Sequence, residues 1–119
     1  MVERLRLMCV SGTPLTYDKQ FRLWVKHEEL CCPGGPNFSK TRGVFAHIAA
    51  RPEKVIGVLD TSHSQGGWAV ARACALLKKR CLVYYPEFKK DRGWSPSQVE
   101  AKKLGASIHP LPAGRSAIL

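Results

Sequence analysis

The chain has 119 residues, 45% of them apolar, with 19 lysines and arginines against nine acidic residues, a formal charge of +10. That length suits one domain that buries about two-thirds of its unfolded surface, and the sequence lacks the run of about eighteen apolar residues that a membrane-spanning helix needs. Nothing resembles a secretory leader, so the expectation is a cytoplasmic protein with no membrane partner.

The five cysteines (Cys9, Cys31, Cys32, Cys74, Cys81) are odd in number and show no metal-ligand spacing, which predicts free, mostly buried thiols and no metal site. The positive charge is compatible with nucleic acid or a phosphorylated ligand, but it is scattered. Lys78-Lys79-Arg80 sits where a helix ends and cations complement its dipole, while Lys89-Lys90 and Lys102-Lys103 read as solvated faces. No aromatic-interleaved basic stripe is present, so nucleic-acid binding stands only as an alternative.

In chain order, residues 1–35 read as irregular, with strand-like runs at Leu5–Val10 and Phe21–Val25 and then the turn Cys32-Pro33-Gly34-Gly35-Pro36. A helix begins near Ser39 and carries Val44, Phe45, Ile48 and Ala49. From Lys54 the pattern becomes regular. Residues 54–60 form a short apolar run of the kind buried in a parallel sheet, and 66–79 form a helix with Ala69, Val70, Ala73, Cys74, Leu76 and Leu77 toward the core. Residues 81–86 form a second strand, stopped by Pro86. Ser95-Pro96-Ser97-Gln98 is a capping box with proline at the first helical position, opening a helix to Leu104 that Gly105 ends. Residues 106–110 form a third strand. Strand–helix alternation of this kind implies parallel strands with right-handed crossovers. The fold class is α/β: a small three-layer domain with a mainly parallel sheet and a βαβαβ core over 54–119, preceded by an N-terminal segment over 1–53. Three strands are few for such a sheet, so the expectation includes a larger two-domain fold, with the open edge hidden in a homo-oligomer or against a C-terminal partner.

Ligands of open α/β sheets bind beyond the carboxyl ends of the strands. There the sequence places Asp60-Thr61-Ser62-His63-Ser64-Gln65-Gly66-Gly67, a hydroxyl-rich loop entering a helix, where backbone N–H groups and hydroxyls form a cradle for a carboxylate or phosphate. Its plainer reading is a helix cap. Asp60 is either a capping residue or an acid/base group, and His63 either faces solvent or takes part in chemistry. Lys40, one of ten lysines, stands at a predicted helix start. The positive end of the helix and partial burial would both lower its amine pKa, as Schiff-base chemistry requires. Arg42 reads as a surface or packing residue.

Five segments then occur in the order found in pyridoxal phosphate (PLP) enzymes of the tryptophan synthase β-like kind. Ser11-Gly12-Thr13-Pro14-Leu15 resembles that family's G-x-T-P-L segment, and Val25-Lys26-His27-Glu28-Glu29-Leu30 its V-K-R-E-D-L strand end. Asn37-Phe38-Ser39-Lys40-Thr41-Arg42-Gly43 is similar to the segment whose lysine carries PLP. Asp60 to Gly67 falls at the substrate-carboxylate loop, and Lys103-Leu104-Gly105-Ala106 resembles the K-x-x-G-A after the next helix. The resemblance implies that Lys40 holds PLP and acts as a catalytic base. It implies that Thr61, Ser62, His63, Ser64 and Gln65 bind an amino-acid carboxylate, with Gln65 near the cofactor ring, and that Asp60 is a catalytic acid/base. The implied activity is a lyase or synthase reaction on an amino acid, of β-elimination or β-replacement type, with a non-catalytic accessory role for the scaffold as the alternative. Ser62, His63 and Ser64 replace the family's small residues, and the glycine-rich loop for the PLP phosphate is expected downstream of these motifs. The 119 residues alone are therefore expected to bind PLP weakly and to turn over no amino acid.

Overall fold

The computed structural model describes residues 13–61, 64–87 and 93–112. The expected run at Leu5–Val10, Cys9, Ser11, Gly12, Ser62 and His63 lie outside the described residues.

A β-hairpin opens the described chain, β1 (Leu15–Asp18) antiparallel to β2 (Leu23–Lys26), with Tyr17 opposite Trp24. The sequence reading found only the second strand, and two residues early. Asp18 Oδ1 accepts from the Phe21 N–H at 3.0 Å and Arg22 takes a left-handed φ of 53°, so Phe21 and Arg22 belong to the turn. That turn has no glycine or Asn-Gly signal, which is why β1 was not legible. After a 3-10 turn at Glu28–Leu30 comes α1 (Lys40–Ala49), burying Thr41, Phe45 and Ile48. Its entry is tied down by side chains: Thr41 Oγ1 donates to Pro36 O at 3.1 Å and the Cys31 thiol to Phe38 O at 3.1 Å.

The remaining elements alternate as the apolar runs predict: β3 (Val55–Leu59), α2 (Gly66–Leu77), β4 (Arg80–Pro86), α3 (Pro96–Lys103) and β5 (Ser107–Leu111). The three strands pair in parallel in the order β3-β4-β5, Gly57 beside Leu82 and Val83 beside Ile108. Both helix ends follow from local chemistry. Lys78 adopts a left-handed φ of 56° and Lys79 N–H reaches back to Cys74 O at 2.8 Å, ending α2 two residues before the predicted stop. At α3, Ser95 and Gln98 form the reciprocal capping box, and Gly105, at φ 96°, lets Ala106 N–H return to Ala101 O at 3.1 Å.

The core lies between the sheet and a single layer of helices. Phe45 and Ile48 of α1, Val70, Ala73 and Cys74 of α2, Cys81 and Val83 of β4, and Ala101 of α3 form one buried cluster. α2 is central, packed on α1 at one side and α3 at the other. The opposite face of the sheet presents Val55 and Leu59 to solvent at 45% and 54% exposure. Among the described residues, therefore, two of the three expected layers are present. The four described cysteines are free and buried, as expected. The hydrogen bond of Cys81 with Cys74, and then burial, push the Cys81 thiol well above its ordinary pKa. Burial raises Cys31 likewise. No helix among the described residues is long and apolar enough to cross a membrane.

Two glycines should respond oppositely to the same substitution. A Cβ on Gly67 would stand 2.4 Å from Asp60 Oδ2 and 3.0 Å from Val83 Cγ1, whereas one on Gly43 meets nothing within 4 Å. Gly67→Ala is expected to destabilise the fold by about 1–3 kcal/mol. Gly43→Ala, in mid-helix, should stabilise it by up to about 1 kcal/mol. Urea unfolding of the two variants checks this, and equal midpoints would contradict it.

Candidate functional site

At the carboxyl end of the sheet, Asp60 continues β3, its N–H donating to Tyr84 O at 2.7 Å. Its side chain turns back under α2, where Oδ2 accepts the Gly67 N–H at 2.8 Å, and the residue is 8% exposed. A carboxylate there both satisfies a free helical N–H and complements the positive end of the dipole. Ser64 Oγ accepts the next free donor, Gly66 N–H, at 2.9 Å. The cradle of free N–H groups expected here is thus partly filled by the protein's own oxygens. Asp60 performs the capping role, one of the two readings its sequence position allowed. Thr61 and Gln65 are exposed, and Ser64 is half-buried beneath them.

Lys40 is brought to the same end by the way α1 docks. The Lys79 ammonium donates to Ile48 O at 2.9 Å and to Arg51 O at 2.6 Å, clamping the carboxyl end of α1 beside that of α2. The turn entering α1 rests on the first half of α2: the Arg72 guanidinium donates to Pro33 O at 2.6 Å, and Gly35 lies so close to Trp68 that a Cβ would come within 2.5 Å of its ring. The two helices therefore run parallel, and both amino ends point to the carboxyl end of the sheet. Lys40 is the first residue of α1. It is exposed and makes no hydrogen bond among the described residues, so the partial burial expected of it is not supplied there.

Glu28 holds this corner together. Its carboxylate receives Thr13 Oγ1 at 2.6 Å, the Lys26 ammonium at 2.7 Å and the Arg42 guanidinium at 2.7 Å, joining the hairpin to the first turn of α1, which also carries Lys40; Lys26 also reaches Thr13. Arg42 therefore ties the hairpin to the helix, the packing side of the surface-or-packing role expected of it. Beside it, His27 bridges Glu29 Oε1 and Thr16 Oγ1, each at 2.6 Å. The Thr13–Glu28, Thr16–His27 and Glu28–Arg42 contacts join residues 11 to 15 positions apart, a distance at which sequence spacing carries no signal.

No family model matches the chain. Its sequence is similar to that of a phage enzyme. The glycyl-dTMP PLP-dependent decarboxylase of Pseudomonas phage M6 is 50% identical over 118 residues, a match that covers 94% of this chain and 42% of that protein. The chain thus spans less than half the length of this relative, and the aligned stretch takes in nearly all of the elements described above.

Hydrogen bonds from Lys26 and Thr13, followed by the Arg42 and Lys26 charges, lower the Glu28 pKa from 4.5 to about 2. A depressed carboxyl contributes its stabilisation fully above the ordinary value and loses it as pH falls through the folded one. Carbon-detected NMR of the Glu28 side chain should therefore titrate near pH 2, with the hairpin tie persisting to about that pH. A midpoint near 4.5 would show the tie to be absent in solution.

Proposed function

We propose that this chain is the lysine-bearing part of a PLP-dependent decarboxylase acting on an amino acid joined to a nucleotide, with Lys40 as the residue that holds the cofactor. One observation carries the reading: the parallel docking of α1 and α2 brings an exposed lysine amine, free among the described residues, and a hydroxyl-rich loop to one end of the sheet. An amine so placed fits covalent attachment of an aldehyde cofactor. The exposed Thr61 and Gln65 and the half-buried Ser64 leave polar groups for a substrate beside it.

Bound there, PLP would supply an electron sink for the pair released at the substrate's Cα. The chain's own part is orientation and proton handling. The Lys40 amine would hold the cofactor and, when free of it, would return a proton to Cα. Thr61, Ser64 and Gln65 would flank the carboxylate through hydroxyl and amide groups.

The capped end of α2 favours decarboxylation over reactions that keep the carboxylate. A carboxylate leaving as carbon dioxide loses its charge on the way to the transition state, so strong N–H donors would stabilise the ground state and slow the reaction. Asp60 and Ser64 already occupy the Gly67 and Gly66 donors. The glycyl group named for the phage relative also has no β-carbon, so β-elimination or β-replacement has no leaving group on such a substrate. A nucleotide-borne substrate brings phosphate, and the +10 charge provides long-range attraction for it.

Incubation of the chain with excess PLP, borohydride reduction and peptide mapping tests the assignment. The expected adduct is concentrated on Lys40, and Lys40→Ala should remove it while leaving weak labelling of other lysines. Labelling spread over several lysines and unchanged in the variant would instead support a non-catalytic scaffold. In a longer protein containing this chain, carbon dioxide release from a glycyl nucleotide should fall by at least about 10³-fold in Lys40→Ala, in keeping with the loss of the proton donor together with the cofactor's covalent tether.

A further inference from the structure

The amino end of α3 differs from that of α2 in what fills it. Both helices start at the carboxyl end of the sheet, because each follows one parallel strand and precedes the next. At α2 a carboxylate, Asp60, occupies a free N–H donor. At α3 the cap is made of neutral groups: Ser95 Oγ accepts the Gln98 N–H at 3.3 Å, and Gln98 Oε1 accepts the Ser95 N–H at 2.8 Å. The first turn of α3 carries no acidic residue. A glutamate at position 98 would form the same reciprocal cap and cancel the positive end of the helix. Glutamine forms the cap and leaves that end positive.

Gln98 also brings a donor that nothing answers. The orientation of its amide is fixed, since only the oxygen can accept from Ser95. The nitrogen of the same planar group therefore lies beside the cap. Gln98 is 4% exposed, and among the described residues its Nε2 has no hydrogen-bond partner. An amide donor shut away from water without an acceptor is costly, and native proteins answer it with a water, an ion or a ligand. Two further donors stand on the same turn. The Ser97 N–H is one of the amides that a helix start leaves free, and neither it nor the Ser97 hydroxyl is bonded among the described residues. The approach is open as well: a Cβ on Gly93, just ahead of the cap, would meet nothing within 4 Å.

We infer that the amino end of α3 is a phosphate site, at which Gln98 Nε2, the Ser97 N–H and the Ser97 hydroxyl receive the phosphate monoester of the nucleotide-borne substrate. Donors gathered at the positive end of a helix suit such a dianion. The assignment to a nucleotide rests on the function proposed above; the donors themselves are independent of it. The spacing agrees with one ligand reaching both helix ends. α3 packs directly on α2, the axes of packed helices lie about 8–10 Å apart, and a nucleoside monophosphate covers that span. The amino-acid group then lies at the Thr61–Gln65 loop, with the phosphate one helix away.

NMR of the backbone and side-chain amides of the 119-residue chain tests this, with thymidine monophosphate as the probe. At about 10 mM, enough to fill a site of roughly 1 mM affinity, the probe should shift the Gln98 side-chain NH2 and the Ser97 N–H to saturation. Thymidine should shift neither, and inorganic phosphate and pyridoxamine phosphate, which forms no imine, should bind at least about threefold more weakly. Gln98→Glu keeps the cap but replaces the orphan donor with a negative charge. It should raise the probe concentration needed for the Ser97 shift about tenfold or more, with the urea midpoint unchanged or raised. Lys40→Ala should bind the probe as the parent chain does, so a failed cofactor attachment at Lys40 and a failed phosphate site are read separately. Three outcomes would overturn the inference: neither resonance moves, the shifts persist undiminished in Gln98→Glu, or inorganic phosphate or pyridoxamine phosphate binds there as tightly as the nucleotide. The last would assign the donors to a free phosphate or to the phosphate of the cofactor.

Discussion

The bond from Gly67 N–H to the Asp60 carboxylate is the constraint on which the carboxyl end of the sheet depends. It joins the last turn of a strand to the first turn of a helix, and only a residue without a side chain leaves room for it. The carboxylate lies against the positive end of α2 and is largely buried there. The same bond removes a donor that an incoming anion would otherwise use. A structural cap thereby shapes the loop above it, leaving hydroxyl and amide side chains rather than free N–H groups at the start of α2.

Around that point the fold is arranged by how closely α2 can be approached. Ala69, Ala71, Ala73 and Cys74 are almost completely buried, so neighbouring helices and the sheet come near its backbone. Lys79 and Arg72 then fasten α1 at both ends through main-chain carbonyls, which sets its direction as well as its position. Direction matters most here. Antiparallel docking would bury much the same apolar surface and carry Lys40 to the opposite end of the sheet.

Among the described residues, the outer edge of β3 beneath α1 is left without a strand partner. Helix diameters are about twice the spacing of strands, so a helix at the end of its layer covers ground beyond the last strand. The exposed apolar face of the hairpin, with Leu15 and Trp24 at 59% and 65% exposure, extends this theme of unpartnered surface. A two-stranded hairpin is marginal by itself in water, and here the Glu28 cluster anchors it at one end.

By itself the sequence determined the βαβαβ order, the parallel pairing, the boundaries of α3 and the start of α1. These depend on local signals: apolar runs, a capping box at Ser95 and Gln98, and a glycine at 105. It also singled out Lys40 and the Asp60–Gly67 loop, because glycines and hydroxyls between a strand and a helix mark where ligands approach. β1 was not legible, since its turn lacks the residues that announce a hairpin and its strand has only four residues. Tertiary structure alone decided that Asp60 closes a helix, that Lys40 stands exposed, and that Arg42 joins α1 to the hairpin through Glu28. It alone decided that, among the described residues, the outer edge of β3 is unpaired. Each of these depends on which distant groups meet, and on the direction in which a helix docks, and neither periodicity nor spacing along the chain encodes that.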